Sequence, residues 1–269
     1  MNRQKRCPKC GYVRYWKIRR GKRKCVKCRY EYPAKNTRLS LTRKQWREII
    51  KWFVLEQSID RIVEQTYISR YQVIKALTHI RRLMLMNIPE VFEGIVEVDE
   101  TYIGGQWKNK RKAKKIIGTK RGRGTSKQPV FGILCRGGKV WAEVVPNVEA
   151  KTLLPLLKKR VRRGSIVCTD TFKSYTGVAA RGYIHRLVNH NEGEYSRGGG
   201  NHINGLEGFW GYLKRKLASK GGIRREKQNL YLSEYVWRYN NRDLNVKQKV
   251  NALLRLVFNA NEHFLVAKI

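Results

Sequence analysis

From about residue 40 onward the apolar positions follow two alternating periods. Trp46, Ile49, Ile50, Phe53 and Val54 recur at helical spacing and predict a first helix, with Ser40 or Thr42 available to cap it. A short second helix is expected over 58–65, and Ser69 opens a longer third one carrying Val73, Ile74, Leu77, Ile80 and Leu83 or Met84. Three helices with a tight break before the third resemble a helix-turn-helix, and a plain helical linker has the same periodicity. Near Pro89 the period shortens. Residues 94–105 read as a strand ending in a glycine turn, and strands over 130–135 and 140–145 flank the hairpin turn at Arg136, Gly137, Gly138 and Lys139. A helix over 150–161, a strand over 165–169, a helix after Asp170 and a strand over 185–188 follow. The next helix, over 201–219, carries the stripe Ile203, Leu206, Trp210, Leu213 and Leu217. Basic amphipathic helices over 224–240 and 246–259 complete the pattern. Hairpins first and crossover helices later predict an α/β or α+β sheet.

The first 38 residues have no comparable apolar pattern. They hold fifteen Lys or Arg against the single acid Glu31, with Tyr12, Tyr15, Trp16, Tyr30 and Tyr32 interleaved. They also hold four of the six cysteines, as Cys7-x2-Cys10 and Cys25-x2-Cys28 separated by fourteen residues. Two such turns close a tetrahedral thiolate site, so a structural zinc ion is expected, with two disulfides as the alternative. A segment this short cannot build an apolar core, and metal would supply most of its folding free energy. Cys135 and Cys168 fall inside expected strands, where packing is the simpler role.

Charge narrows the partner. The 269 residues carry 59 Lys or Arg against 20 Asp or Glu, a net +39, which points to a polyanion such as nucleic acid. No stretch approaches the roughly 18 apolar residues of a spanning helix, and the N-terminus has no apolar signal core, so a cytoplasmic, nucleoid-associated protein is expected. Arg70, Lys75, Arg81 and Arg82 decorate the third helix as candidate DNA contacts. So do Lys112, Lys114, Lys115, Lys120, Arg121 and Arg123, in a run from 108 to 127 with ten Lys or Arg and no acid.

In so basic a chain the acids are informative. Asp99 lies near the end of the first long strand, Asp170 closes an apolar strand, and Glu207 lies beside the stripe of the helix over 201–219. Three carboxylates from two strands and a helix suit Mg²⁺ or Mn²⁺, and two such ions about 4 Å apart support attack on a phosphodiester. Taken singly, the three acids also fit a helix cap, a lysine pair and a surface ion pair. Glu100 points away from Asp99 across the strand and is expected either to support the site residues from behind or to be structural.

The blocks Val98-Asp99-Glu100-Thr101-Tyr102, Thr169-Asp170 with Tyr175, and His202-Ile-Asn204-Gly-Leu-Glu207-Gly-Phe209-Trp210 followed by Lys214 resemble bacterial insertion-sequence transposases related to the Merlin transposons. The resemblance covers nearly the whole chain. It implies a multi-domain protein: a zinc ribbon over 1–38, a helix-turn-helix-like module over 39–88, an α/β ribonuclease-H-like catalytic domain over 89–220 and C-terminal basic helices over 221–269. It further implies that Asp99, Asp170 and Glu207 form a DDE triad holding two Mg²⁺ or Mn²⁺ ions and that Lys214 is the family's basic residue. His202, Asn204 and Trp210 become candidate DNA contacts. Some members carry Asn at the third position, so Asn204 competes with Glu207, and the charge of a carboxylate favours Glu207. The implied activity is binding of terminal inverted repeats, cleavage of the ends and transfer of 3′-hydroxyls to target DNA, by a homodimer or larger assembly on double-stranded DNA. A non-catalytic DNA-binding regulator, or a nuclease without strand transfer, is the alternative.

Overall fold

In the computed structural model, residues 6–7, 9–19, 22–33, 39, 41–87, 91–104, 127–188 and 202–266 are described, the side chains of 33 and 260–266 excepted. The expected DNA contacts Lys112, Lys114, Lys115, Lys120, Arg121 and Arg123 lie outside them.

The N-terminal ribbon is a three-stranded antiparallel sheet of β1 (Tyr15–Ile18), β2 (Lys22–Cys25) and β3 (Glu31–Pro33), ordered as in the chain. Its small core consists of ribbon residues alone, with Cys7, Cys25 and Tyr32 buried against Tyr12, Tyr15 and Cys28.

Three helices follow, each begun by a side chain that satisfies an otherwise unpaired first-turn amide. In α1 (Arg43–Val54) Thr42 and Gln45 form a capping box, while Ser58 caps α2 (Ile59–Thr66) and Ser69 caps α3 (Arg70–Met86). Between α2 and α3 the chain reverses at Tyr67, which sits in the left-handed region at φ 54°.

The larger sheet has strands β4 (Ile95–Ile103), β5 (Gln128–Cys135), β6 (Val140–Val144), β7 (Ile166–Asp170) and β8 (Ile184–Val188), in the spatial order β6-β5-β4-β7-β8. The hairpin strands β4, β5 and β6 pair antiparallel, while β7 runs parallel to β4 and β8 parallel to β7. The period of two on β4 divides its residues between two cores. Val96 and Val98 face α4 (Ala150–Arg160), where Leu153, Leu154 and Leu157 are buried. Glu97, Asp99, Thr101 and Ile103 take the other face, which α5 (Asn204–Ala218) and α6 (Gln228–Asn240) cover with Leu206, Phe209, Trp210, Leu213, Leu232 and Val236.

Two expectations are corrected. After Asp170 there is no α-helix but two short 3-10 turns, Lys173–Tyr175 and Ala179–Arg181, broken by Gly177 and Gly182 at φ 89° and 86°. The C-terminal helices, expected as a segment of their own over 221–269, are shared between cores. While α6 packs on the sheet, Trp237 together with Val250, Leu253, Leu254 and Val257 of α7 (Val246–Val266) completes the core of the helical module. Charge reinforces this seam. Arg238 donates to the carbonyls of Phe53 at 2.6 Å and Val54 at 3.1 Å and pairs with Glu234 at 2.9 Å, and Glu234 also holds Arg81 at 2.7 Å. These basic residues of α3 and α6 therefore serve the interior.

Candidate active site

In the ribbon the two cysteine turns share one backbone design. The N–H of Gly11 donates to Cys7 O at 2.9 Å and that of Arg29 to Cys25 O at 3.0 Å, and both residues have positive φ, 71° and 60°. The turns bring Cys7 Sγ to 3.5 Å from Cys28 Sγ and Cys10 Sγ to 3.6 Å from Cys25 Sγ. All four sulfurs lie within 4.8 Å of one another, the one such group of ligand atoms among the described residues. Four thiols that close offer the donor set of a tetrahedral zinc ion, and the residues fit the metal. The four thiols share their protons: Cys28 is held up and Cys25 down from the ordinary thiol range, as expected of sulfurs crowded into one site.

The acids gather on the larger sheet. Asp99 lies opposite Gly132 of β5. Pairing of β4 with β7 ends at Glu97↔Cys168, so Asp99 and Asp170, each two residues further on, stand at the same level of adjacent parallel strands. The N–H of Phe172 donates to Asp170 Oδ1 at 3.0 Å and turns the chain away immediately after it. Glu207 is exposed in the first turn of α5, above this face. Burial, followed by the charges of Asp170 and Glu207, pushes the Asp99 carboxyl up to about 6, while the Glu100 N–H and the Trp210 indole pull it down. A raised Asp99 facing two further carboxylates fits oxygen-seeking divalent cations. Lys214 stands on the same helix. Burial of its ammonium end lowers its pKa, against the opposing pull of Asp99, and it shares with Lys127 a cleft of about 560 Å³.

Trp210 faces inward, as its place on the apolar stripe of the helix requires. Expected to touch DNA, it is instead 4% exposed and donates from Nε1 to Asp99 Oδ2 at 3.0 Å, because α5 lies flat on β4 and β5. Its ring rests on Gly132, where an added Cβ would stand 2.5 Å from Cζ2 and Cη2. Gly132→Ala is accordingly expected to lift Trp210 from Asp99, to destabilise the protein by about 1–3 kcal/mol in denaturant unfolding and to impair cleavage. Wild-type stability together with wild-type cutting would show that the ring does not need this seat.

Arg81 is likewise corrected. Its side chain is 11% exposed, pairs with Glu234 and lies 4.2 Å over the Tyr231 ring, so it is not free to meet DNA. Arg70 pairs with Asp60 on the surface, Lys75 lies 4.4 Å over Tyr71, and Arg82 is exposed. Asn204 is exposed as the first residue of α5, and the carbonyl of His202 just before it accepts from Arg136 Nη2. On the other face of β4, Glu100 accepts from the buried Tyr175 hydroxyl at 2.6 Å, in keeping with a structural role.

Sequence reasoning missed Glu97, Arg136 and Gly132. A signal existed for two of them: period-two alternation puts Glu97 on the face of Asp99, and a lone glycine inside a strand marks close approach by another element.

Residues 91–240, running from just before β4 to the end of α6, match the ISXO2-like transposase domain. That is more than half of the chain, and the protein belongs to this family of insertion-sequence transposases. A protein of Haemophilus influenzae (strain ATCC 51907 / DSM 11121 / KW20 / Rd) described as an uncharacterized transposase-like protein is 40% identical over 119 residues, spanning 44% of this chain and 94% of the relative.

Proposed function

We propose that this transposase binds the terminal inverted repeats of its own element, cleaves the DNA ends and joins their 3′-hydroxyls to target DNA with a DDE triad of Asp99, Asp170 and Glu207. The observation that carries the reading is the Trp210–Asp99 hydrogen bond, which ties the helix bearing Glu207 to the strand bearing Asp99. Strand order β6-β5-β4-β7-β8, with acids on the two central parallel strands, supports a ribonuclease-H-like domain.

Asp99, Asp170 and Glu207 would hold two Mg²⁺ or Mn²⁺ ions, which lower the pKa of attacking water and neutralise charge developing on phosphorus. Trp210 occupies Oδ2 of Asp99 and so fixes the orientation of that carboxylate. Lys214, two helical turns beyond Glu207, lies on the same side of α5 and meets a phosphate of the bound end. Attack in line on phosphorus needs no covalent link between protein and DNA. His202 and Asn204, at the start of α5, would flank the scissile strand.

The ribbon, holding zinc through Cys7, Cys10, Cys25 and Cys28, supplies phosphate contacts. The pair α2–α3, joined through the left-handed Tyr67, serves as a helix-turn-helix-like reader whose outer side carries Arg70, Lys75 and Arg82. Bringing two ends together calls for a homodimer or larger assembly. Among the described residues no helix is long and apolar enough to cross a membrane.

The deciding experiment is cleavage of a labelled DNA end containing the inverted repeat that flanks the gene, with Mg²⁺ supplied and withheld. Strand transfer without metal, or no cutting with it, argues against this chemistry. For end recognition, Lys75→Ala and Arg82→Ala are each expected to weaken binding and to reduce the slope of log affinity against log salt by about one for each phosphate no longer engaged. Arg81→Ala should instead lower stability, by about 1–3 kcal/mol, since it leaves one oxygen of the buried Glu234 without its partner while Arg238 still holds the other. If Arg81→Ala alters the salt slope and spares stability, Arg81 faces DNA after all.

A further inference from the structure

We propose that Glu97, held by Arg136, is a positioning residue of the active site: its buried carboxylate pins the first turn of α5 to β4 and so sets where Glu207 stands relative to Asp99. The inference rests on the reading of Asp99, Asp170 and Glu207 as metal-binding acids.

The first turn of a helix needs acceptors for its free amides. Residue Ile203 occupies the N-cap of α5, and its side chain caps nothing. The acceptor comes from 109 residues away, where Glu97 Oε2 receives the N–H of Leu206 at 2.8 Å. Glu207 is the next residue, so the position of its backbone follows directly from this bond. The other oxygen of Glu97, Oε1, lies 3.0 Å from Arg136 Nε and 3.3 Å from His202 Nδ1. Arg136 in turn donates from Nη2 to the carbonyl of His202 at 2.5 Å. Both strands that flank the site thus grip the residues leading into α5: β4 through Glu97, and the end of β5 through Arg136.

Stability alone is a poor reason for this arrangement. Glu97 is 1% exposed between the buried residues Val96 and Val98, and a well-packed apolar side chain is often at least as stabilising as a buried ion pair. What an apolar residue cannot do is accept the Leu206 amide and fix the height of the helix. The close approach is also built into the sequence of α5. At Gly205 an added Cβ would lie 3.0 Å from Glu97 Oε2 and 3.2 Å from Leu134 Cδ2, so any side chain there would press on the carboxylate and on Leu134 by a few tenths of an ångström. At Gly208 in the same helix an added Cβ would meet nothing within 4 Å. Together with the Trp210–Asp99 bond one turn later, the peg attaches α5 to β4 at two points on the face that carries the acids.

The test is Mn²⁺ binding to the full-length protein without DNA, read from the EPR signal of free Mn²⁺ and paired with a thermal unfolding curve. Asp99→Asn is expected to abolish binding at the acid site. Glu97→Gln, which removes the charge and keeps the shape, is expected to weaken Mn²⁺ affinity about tenfold or more while unfolding stays cooperative. Gly205→Ala should do the same by displacing the first turn, although alanine is the better helix former. Gly208→Ala should bind Mn²⁺ like the wild type. A purely structural Glu97 would lower the unfolding temperature and leave affinity untouched. If Glu97→Gln does not fold, Gly205→Ala decides. Wild-type Mn²⁺ affinity in Glu97→Gln and Gly205→Ala, alongside lost binding in Asp99→Asn, overturns the positioning role and leaves the acid site standing. Wild-type affinity in Asp99→Asn removes the acid site and the inference with it.

Discussion

Asp99→Asn, Asp170→Ala and Glu207→Gln each reduce cleavage and joining of element ends on the order of a thousandfold or more in Mg²⁺ or Mn²⁺, while end binding stays near wild type and unfolding stays cooperative. That separation is expected because Glu207 is exposed and Asp170 half-buried at the end of β7, while asparagine at position 99 keeps an oxygen for the Trp210 indole N–H. Asp99→Ala relieves repulsion but leaves that buried N–H without its acceptor, so it is expected to lower stability as well. Asn204→Ala should be milder, since a neutral amide binds a hard cation poorly. Lys214→Ala should weaken engagement of the cleaved end. The assay is gel analysis of cut and joined products, beside an end-binding titration. Normal cutting by Glu207→Gln with a dead Asn204→Ala would move the third position to Asn204. Normal cutting by all three acid variants would leave a DNA-binding protein without this chemistry.

Loss of the ribbon's metal is expected to have the second largest effect. A structural zinc ion contributes about 10–16 kcal/mol in small modules that cannot fold without it. The ribbon is such a module, because among its described residues the buried ones are Cys7, Cys25 and Tyr32, two of them from the thiol quartet. One equivalent of zinc per chain is expected in protein purified without chelator. Cys25→Ser should unfold residues 6–33 and leave the main unfolding transition of the sheet unchanged, since the ribbon's core shares no residue with the larger cores. Less than half an equivalent of zinc counts against the site. So does a Cys25→Ser ribbon whose amides remain protected from hydrogen exchange.

Much of this architecture was legible in the sequence, because its determinants are local. Thr42, Ser58 and Ser69 each precede an apolar stripe of helical period, and each begins a helix at that point. The hairpin of β5 and β6 follows from two apolar runs around a Gly-Gly turn, and the four cysteines at paired spacing do converge. Asp99, Asp170 and Glu207 stood out because acids are scarce in so basic a chain, and the last two keep their places at a strand end and a first helical turn.

Side-chain roles that depend on distant partners were not legible. Arg81 and the basic face of α6 look solvent-facing by charge, yet Glu234 and the carbonyls of Phe53 and Val54 draw Arg81 and Arg238 inward, across separations of 153 to 185 residues. Trp210, legible as a member of an apolar stripe, also becomes the lid over Gly132 and the partner of Asp99, 111 residues away. Glu97 reads as one more charge in a strand until α5 docks on it. By itself the sequence determined most of the elements from residue 40 onward, the helix expected after Asp170 excepted, together with the thiol quartet and the identities of the acids, since capping, periodicity and ligand spacing act over a few residues. Only the tertiary structure decided which charges are buried, because the cost of burying a charge depends on partners that sequence proximity does not reveal.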